Sequence, residues 1–312
     1  DSPETHILSN GTYSTMITNS GSGYGKRDDM TIYRWREDAT DDSSGMFIFI
    51  KNIDNGHYWS TTYQPCKSEG EEYNVIFSMD KVEFKRKDGD ITTHTEITVS
   101  GEDNAEIRKV TLTNHGSEQV ILEITSYCEV TLAPYNADVV HPTFSNLFIS
   151  TEYDDSNGCI LANRRPRAKG QIGPWMMATI ALQGEAVGNV QYETSRLNFI
   201  GRGRSLFNPI AMDKDAPLHN TVGAVLDPII SMRRRVVLNS GESCKIAYTI
   251  AVADTKGEAI ALAKKYREFQ NVIRAFELAW TESQVEMKYM GIKSTQANLY
   301  QIMASRILFI NE

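Results

Sequence analysis

Between Asn19 and Asp38 the chain reads Asn-Ser-Gly-Ser-Gly-Tyr-Gly-Lys-Arg-Asp-Asp-Met-Thr-Ile-Tyr-Arg-Trp-Arg-Glu-Asp. These residue types are the best suited to a ligand in the sequence. Gly21, Gly23 and Gly25 alternate with Ser22 and Tyr24, so the backbone can take positive φ and lie close to a flat or bulky group. Trp35 stands between Arg34 and Arg36. An aromatic face beside guanidinium forks suits a polyol ring or an anion. Ser22, Gly23, Tyr24, Arg34, Trp35 and Arg36 are therefore the candidate substrate- or interface-facing residues. The structural alternative makes the glycine stretch a sharp turn and pairs Arg34 and Arg36 with Glu37 or Asp38 on a strand end.

Other chemistries find less support. The six histidines are scattered singly, and the chain has no H-x-H, HExxH or CxxC, so no metal site is expected. The glycine stretch lacks both GxGxxG and a P-loop Lys-Ser/Thr, and charges and a strand follow it. Asp28-Asp29, Asp41-Asp42, Glu71-Glu72 and Asp154-Asp155 are adjacent carboxylates. Extended, each pair points to opposite faces, which is wrong for glycosidic acid–base work on one substrate. No G-x-S-x-G elbow is present. Trp59 and Trp175 sit in or beside turns and serve either packing or sugar stacking.

The net charge of −8 argues against nucleic acid or an anionic membrane as partner. The basic runs Arg164-Arg165-Pro166-Arg167 and Arg233-Arg234-Arg235 read as solvated faces or ion-pair networks. No run approaches the roughly 20 apolar residues of a membrane span, and the polar start is no signal peptide. Cys66, Cys128, Cys159 and Cys244 are far apart, with Cys128 and Cys244 in strand patterns as small buried hydrophobes. A reducing cytosol is the expected compartment. The chain lacks an initial Met and stops after an apolar helical pattern without a Gly or Pro signal, so a piece of a longer polypeptide is expected.

From about Tyr13 to Ala253 the periodicity is that of strands. Val82, Phe84 and Arg86 alternate with Glu83, Lys85 and Lys87, and Ile91, Thr93, Thr95, Ile97 and Val99 with Thr92, His94, Glu96 and Thr98. Asp88-Gly89 between them signals a hairpin. Val120 to Val130 and Cys244 to Val252 repeat the alternation. Roughly fifteen strand candidates at hairpin spacing, with no helix between them, predict antiparallel sheets stacked as one large sandwich. At Asp254 the period changes. Thr255 and Glu258 fit a capping box. Ile260, Ala263, Tyr266 and Phe269 mark a helical stripe, as do Ile273, Phe276, Trp280 and Met287, ending at Gly291. Ser294 caps a third helix carrying Leu299, Met303 and Ile307. The predicted division is a β domain over 1–253 and a helical linker over 254–312.

Several stretches together carry a resemblance. They are Leu8-Ser9-Asn10-Gly11-Thr12-Tyr13-Ser14, Met16 to Tyr24, Arg34-Trp35-Arg36-Glu37-Asp38, Ser126-Tyr127-Cys128-Glu129-Val130 through Ala133-Pro134, His141 to Phe148, Gly201-Arg202-Gly203-Arg204, Gly223 to Pro228 and Ala279-Trp280-Thr281. With these the chain resembles the N-terminal region of inverting glycoside phosphorylases related to cellobiose phosphorylase. The branch is that of 1,2-β-oligoglucan phosphorylases and the C-terminal region of cyclic β-1,2-glucan synthases. The resemblance covers almost the whole chain. It implies a mainly β fold: a large antiparallel, galactose-mutarotase-like β-supersandwich, then a helical linker, then an (α/α)6 barrel that holds the catalytic Asp.

No position here matches that acid, so no catalytic residue is carried over, and the chain alone is expected to be inactive. The implied parent converts 1,2-β-oligoglucans and inorganic phosphate to glucose 1-phosphate and a shorter chain, with no cofactor and no metal. The implied partners are the β-1,2-linked gluco-oligosaccharide, the barrel of the same chain and a second subunit of a homodimer. The implied role of these 312 residues is dimer contact and shaping of the substrate channel. Two alternatives stand beside it: a carbohydrate-binding module, and a mutarotase by fold analogy, with His94 and Glu96 on one strand face as the proton-transfer pair.

Overall fold

Strict alternation of side chains builds two antiparallel sheets in the computed structural model, which describes residues 4–38, 40–166 and 173–308. In chain order the strands are β1 (Thr5–Ser9), β2 (Tyr13–Thr18), β3 (Gly23–Arg27), β4 (Met30–Tyr33), β5 (Phe47–Asn52) and β6 (Tyr58–Ser60). Then come β7 (Glu72–Phe77), β8 (Val82–Asp88), β9 (Ile91–Val99), β10 (Ala105–Asn114), β11 (Val120–Pro134) and β12 (Ile149–Asp154). The last are β13 (Cys159–Arg164), β14 (Trp175–Gln183), β15 (Glu185–Ser195), β16 (Pro228–Leu238) and β17 (Ser243–Ala253).

The first sheet runs β1-β2-β3-β4-β11-β16-β15, with β5 on β11 and β6 beyond β5. The second runs β12-β13-β14-β17-β10-β9-β8-β7. Every strand pair is antiparallel. The hairpin expected at Asp88-Gly89 forms, with Asp88 opposite Ile91 and Gly89 at φ +58. Ile17, Phe84, Ile97, Leu122, Ile124 and Ile246 are among the side chains that meet between the sheets. The fold class is the expected one.

The helices are α1 (Tyr135–Val140), α2 (Pro142–Asn146), α3 (Arg196–Ile200), α4 (Lys256–Arg267), α5 (Phe269–Met290) and α6 (Ser294–Leu308). The first three contradict the expectation of an uninterrupted β pattern. Five or six residues are too few to show a 3.6-residue stripe, and such pieces are held by tertiary contacts rather than by propensity.

α4 starts where the sequence indicates, while Ser294, expected as the cap of the third helix, is the first residue within it. Thr255 accepts from the Glu258 amide at 3.2 Å while Glu258 Oε2 accepts from the Thr255 amide. The α4 stripe is buried as expected at Ala263 and Tyr266, and Met287 of the expected α5 stripe is buried too, but the rest of the α5 face and the α6 face differ from expectation. On α5 the buried side chains are Val272, Ala275, Ala279, Ser283 and Met287, and Trp280 is exposed. On α6 Ala297 and Ser305 are buried, while Leu299, Met303 and Ile307 face outward. Small residues let these helices lie close against strands. α4 and the start of α5 cover the outer face of the second sheet through Tyr266, Ala263 and Val272. α6 guards the edge strand β1, since Ser305 Oγ accepts from the Thr5 amide and Gln301 bonds Ile7 in both directions.

The outer face of the first sheet is covered by the excursion between β15 and β16, where Phe199, Ile200, Ala211 and Leu218 pack on Phe47, Phe49 and Tyr127. A buried charge hub fixes it. Glu123 faces Arg235 Nε at 2.8 Å, Arg233 Nη1 at 3.2 Å and Lys51 Nζ at 3.5 Å. Three cations around one carboxylate leave positive charge over. The carbonyls of Ala211, Ala216 and Asp213 absorb it by accepting from Arg233 and Lys51. Burial, reinforced by the neighbouring Arg235, pushes the Arg233 pKa down to about 10. The run Arg233-Arg234-Arg235 is thus an ion-pair network, with Arg233 buried rather than solvated. In the other basic run Arg164 donates to the Thr131 and Ser145 carbonyls, and Arg167 lies outside the described residues. The four cysteines are free and buried.

His6 gives the fold a pH dependence. It is buried, stacked on Phe77 with ring centroids 5.2 Å apart, and its Nε2 sits 2.7 Å from the Ser78 carbonyl. Burial, only partly offset by that hydrogen bond, pulls its pKa down to about 4. Between there and the unfolded value near 6.5 the unfolded chain holds a proton that the folded chain lacks, so stability falls on acidification through that window. Urea unfolding at pH 7 and at pH 4.5 is expected to show this loss, and His6→Gln, which keeps an N–H donor, is expected to lessen it. Equal losses in the two proteins would assign the acid sensitivity elsewhere.

Candidate functional site

The β3 alternation decides where the site lies. Gly23 and Gly25 turn toward protein, and Tyr24 and Lys26 turn outward. A Cβ on Gly23, at φ +151, would come 1.8 Å from the Met16 carbonyl oxygen. A Cβ on Gly25 would lie 2.5 Å from the Tyr13 hydroxyl oxygen and 2.6 Å from Tyr33 Cε1. The glycines therefore let β3 lie on two buried tyrosine rings, the flat approach that the sequence suggests. Ser22 is buried behind the same strand, where its hydroxyl donates to the Ser44 carbonyl, which also accepts from the Gly23 amide at 3.1 Å. Ser22 and Gly23 hold the strand in place and do not line the groove in front of it.

In front stands an aromatic pair. The Tyr24 and Trp35 rings meet edge to face, with centroids 5.6 Å apart and planes at 65°. Lys26 Nζ lies 5.5 Å from the centre of the Tyr24 ring. Burial raises the Tyr24 pKa, so its hydroxyl stays protonated at neutral pH. Tyr24, Lys26 and Trp35 form a groove of about 450 Å3 with Asp29, Glu37 and Tyr135. Such a groove offers ring faces for stacking and both donors and acceptors at its rim, which is the chemistry of a sugar subsite or a small polar interface.

Arg34 and Arg36 turn away from the aromatic pair. Arg34 donates to Asp138 through Nε at 3.1 Å and Nη2 at 2.9 Å, to Glu129 through Nη1 at 2.6 Å and to Asn146 Oδ1 at 2.8 Å. Arg36 pairs with the same Asp138. Glu129 also accepts from Arg196 and from the Tyr127 hydroxyl. Asn146 donates to Asp227. Neither the favoured reading of both arginines as substrate-facing nor the alternative pairing with Glu37 or Asp38 describes this network. Asp138, which arrives from another element, takes Arg34 through two parallel hydrogen bonds, from Nε and Nη2.

Burial opposes each charge here, but the opposite charges outweigh it. The Asp138 and Glu129 pKa values are held below the usual carboxylate range and that of Arg34 above its ordinary value. β11 makes the meeting possible. After pairing with β5 up to Tyr127 it shifts register past Val130, with Leu132 at φ +47, and pairs with β4. Glu129 is so placed beside Arg34, and the strand delivers α1 over the groove.

His94 and Glu96 do share a face of β9, but His94 Nε2 bonds Glu83 at 2.8 Å. Glu96 is held by Lys81 at 2.8 Å and Lys109 at 2.6 Å. The donor atoms of Glu83, His94 and Glu96 all lie within 4.8 Å of one another, a spacing open to a cation. Lys81 and Lys109 already supply the positive charge a cation would bring. Lys109 lies over the Phe276 ring of α5 at 4.3 Å. This is a half-buried ion-pair cluster whose carboxylates already have cationic partners. Trp175 packs beside α4, with Lys256 Nζ 5.5 Å from its ring centre.

Comparison with known proteins places the chain. The family description "Glycosyl hydrolase 94, supersandwich domain" matches residues 1–269. The chain belongs to the glycosyl hydrolase 94 family. It is 36% identical over 307 residues to the cyclic beta-(1,2)-glucan synthase NdvB of Rhizobium meliloti (strain 1021), covering 98% of this chain and 11% of the synthase. It is 23% identical to the N,N'-diacetylchitobiose phosphorylase of Vibrio furnissii, covering 88% of this chain and 34% of that enzyme. The chain thus spans well under half the length of these relatives. A solved bacterial glucoamylase complexed with acarbose shares the fold, with a TM-score of 0.53 at 10% identity over 90% of this chain and 38% of the other.

Within this glycosyl hydrolase 94 domain, sequence reasoning missed Lys26, Asp29, Glu37 and Tyr135 in the groove. Alternation along β3 could have found Lys26, on the same face as Tyr24. It also missed Asp138 and Glu129, for which no local signal exists. Removing the cation that joins those two leaves both carboxylates buried without their main partner. Arg34→Met is expected to cost about 3 kcal/mol of unfolding free energy and Arg34→Lys roughly half of that, measured by urea denaturation. A loss within scatter would mean that water already satisfies the pair.

Proposed function

We propose that this chain is the non-catalytic supersandwich and linker of a parent enzyme that phosphorolyses 1,2-β-oligoglucans to glucose 1-phosphate. Its own work is to shape the substrate channel and to form the dimer contact. The observation that carries this reading is the Tyr24–Trp35 pair in its groove. Rigid aromatic faces ringed by Lys26, Asp29 and Glu37 suit a β-linked glucan, whose sugar faces are apolar and whose edges carry hydroxyls. The 36% identity to a cyclic beta-(1,2)-glucan synthase supports the β-1,2 linkage, and the similarity to a phosphorylase supports phosphate as the second substrate.

Tyr24 and Trp35 are the groups that face sugar or the neighbouring subunit. Arg34 and Arg36, with Ser22 and Gly23 behind them, are positioning residues. The proton donor belongs to the parent's helical barrel, against which the exposed side chains of Trp280, Tyr289, Ile302, Met303 and Ile307 on α5 and α6 would pack. No helix among the described residues is long and apolar enough to cross a membrane. Four free cysteines suit a reducing cytosol as the compartment. The same identity favours a second reading, in which the parent is a cyclic glucan synthase and this is its phosphorylase-like region.

In the full-length parent, Tyr24→Ala and Trp35→Ala are each expected to lower kcat/KM for phosphorolysis about tenfold, read as glucose 1-phosphate release from β-1,2-gluco-oligosaccharides. Unchanged kcat/KM together with an intact dimer would reject the assignment.

A further inference from the structure

The groove in front of β3 has a polar floor. Thr31 of β4 lines it together with Tyr24 and Trp35. It stands opposite Lys26 in the β3–β4 pair, so the two side chains rise from one face of the sheet. Thr31 is 7% exposed. Among the described residues its hydroxyl takes part in no hydrogen bond, and it is not one of the sealed orphans of the core, such as the hydroxyls of Thr93 and Thr95. The small surface that Thr31 keeps therefore includes that hydroxyl, and a ligand in the groove can reach it. Branching at Cβ restricts its χ1. Its strand is paired on both sides, with Lys26 and Ala133 as its partners on β3 and β11. The sheet thus fixes the hydroxyl before any ligand arrives.

Other polar groups of the groove are in the same state. Among the described residues no hydrogen bond or ion pair engages the side chains of Lys26, Asp29 or Glu37, or the hydroxyls of Tyr24 and Tyr135. Next to them Arg34, Arg36 and Asp138 are taken up by one another and by Glu129. The ion-pair network is closed, and the groove keeps its donors and acceptors open.

That contrast selects the occupant. An apolar side chain of a neighbouring subunit would cover the Thr31 and Tyr24 hydroxyls and give neither a partner, which is costly. An anion meets two carboxylates, Asp29 and Glu37, against one lysine. A cation finds its place over the Tyr24 ring already held by Lys26 Nζ, at 5.5 Å. A neutral polyol suits every group. Its hydroxyls donate to the carboxylates and accept from Lys26 and Tyr24, the Thr31 hydroxyl can do either, and a flat ring face can stack on an aromatic one.

We propose that Thr31 is the specificity-determining residue of this groove, whose hydroxyl bonds a hydroxyl of a neutral pyranose and makes the groove a sugar subsite rather than a subunit contact. The polyol follows from the groove's own chemistry, and the choice of a β-1,2-glucan rests on the function proposed above.

The test titrates a β-1,2-linked glucopentaose by calorimetry into the 312-residue chain, unsubstituted and with Thr31→Val or Thr31→Ser. Valine keeps the shape of threonine without the hydroxyl, and serine keeps the hydroxyl. Saturable binding at millimolar affinity or tighter is expected for the unsubstituted chain, about fivefold weaker for Thr31→Val and within about twofold for Thr31→Ser. In urea, Thr31→Val is expected to unfold at the same concentration or a higher one, since no protein partner is lost. Absence of saturable heat, equal affinity in Thr31→Val, or equal weakening by both substitutions overturns the proposal. A less stable Thr31→Val chain would give the hydroxyl a partner within the protein, and stronger self-association of that chain in sedimentation would give the groove to a second subunit; either overturns it as well. Phosphorolysis by the Tyr24 and Trp35 variants is read separately. A fall there without sugar binding here would leave the proposed function resting on the subunit contact, and sugar binding here with unchanged kcat/KM there would leave a sugar site outside the reaction.

Discussion

Asp138 is the buried carboxylate on which the site's architecture turns. It belongs to a helix of six residues that could not persist alone. Two guanidinium groups from the segment after β4 hold it, and Arg34 passes the same grip to Glu129 on β11 and Asn146 on α2. One cation thereby ties the segment after β4 to three successive elements, β11, α1 and α2, about a hundred residues further along the chain. The groove exists because of that tie. Its β3 wall is part of a sheet, but Trp35 and Tyr135 sit on irregular chain and on α1, next to the Arg34–Asp138 pair that joins those two segments.

Ion pairs at such depth are a weak source of net stability, but removing one partner is costly because the other charge is left buried alone. The same device recurs at Glu123, where Lys51, Arg233 and Arg235 anchor the excursion after β15 through backbone carbonyls. In both places a polar hub on the outer face of the first sheet pins a segment that has little regular structure of its own. Apolar contacts alone, being non-directional, would let such segments slide.

The supersandwich was legible in the sequence because period-two alternation is a local property. Val82 to Arg86, Ile91 to Val99 and Cys244 to Val252 each announce a strand and its buried face. The capping box at Thr255 and the stop at Gly291 were legible for the same reason. Tyr24 and Trp35 could be singled out by type, and the family resemblance fixed the fold to which they belong. What the sequence hid is long-range. Arg34 sits beside Glu37 in the chain, yet its partner Asp138 is about a hundred residues away. The α5 stripe was misjudged by one residue because helix packing chose the small face, Ala275 and Ala279, over the large one that includes Trp280. The largest side chains do not mark the buried face when a helix must lie close to a strand.

The account's central claim is that Arg34 orders the segment from Pro134 to Asn146 over the groove while the sheets stand without it. Native-state hydrogen exchange on Arg34→Gln measures this directly. The account predicts lost protection for amides of α1 and α2, with β10 and β17 protected as in the unsubstituted chain. Equal protection of α1 and α2 in the two proteins, or a loss spread evenly over both sheets, would contradict it.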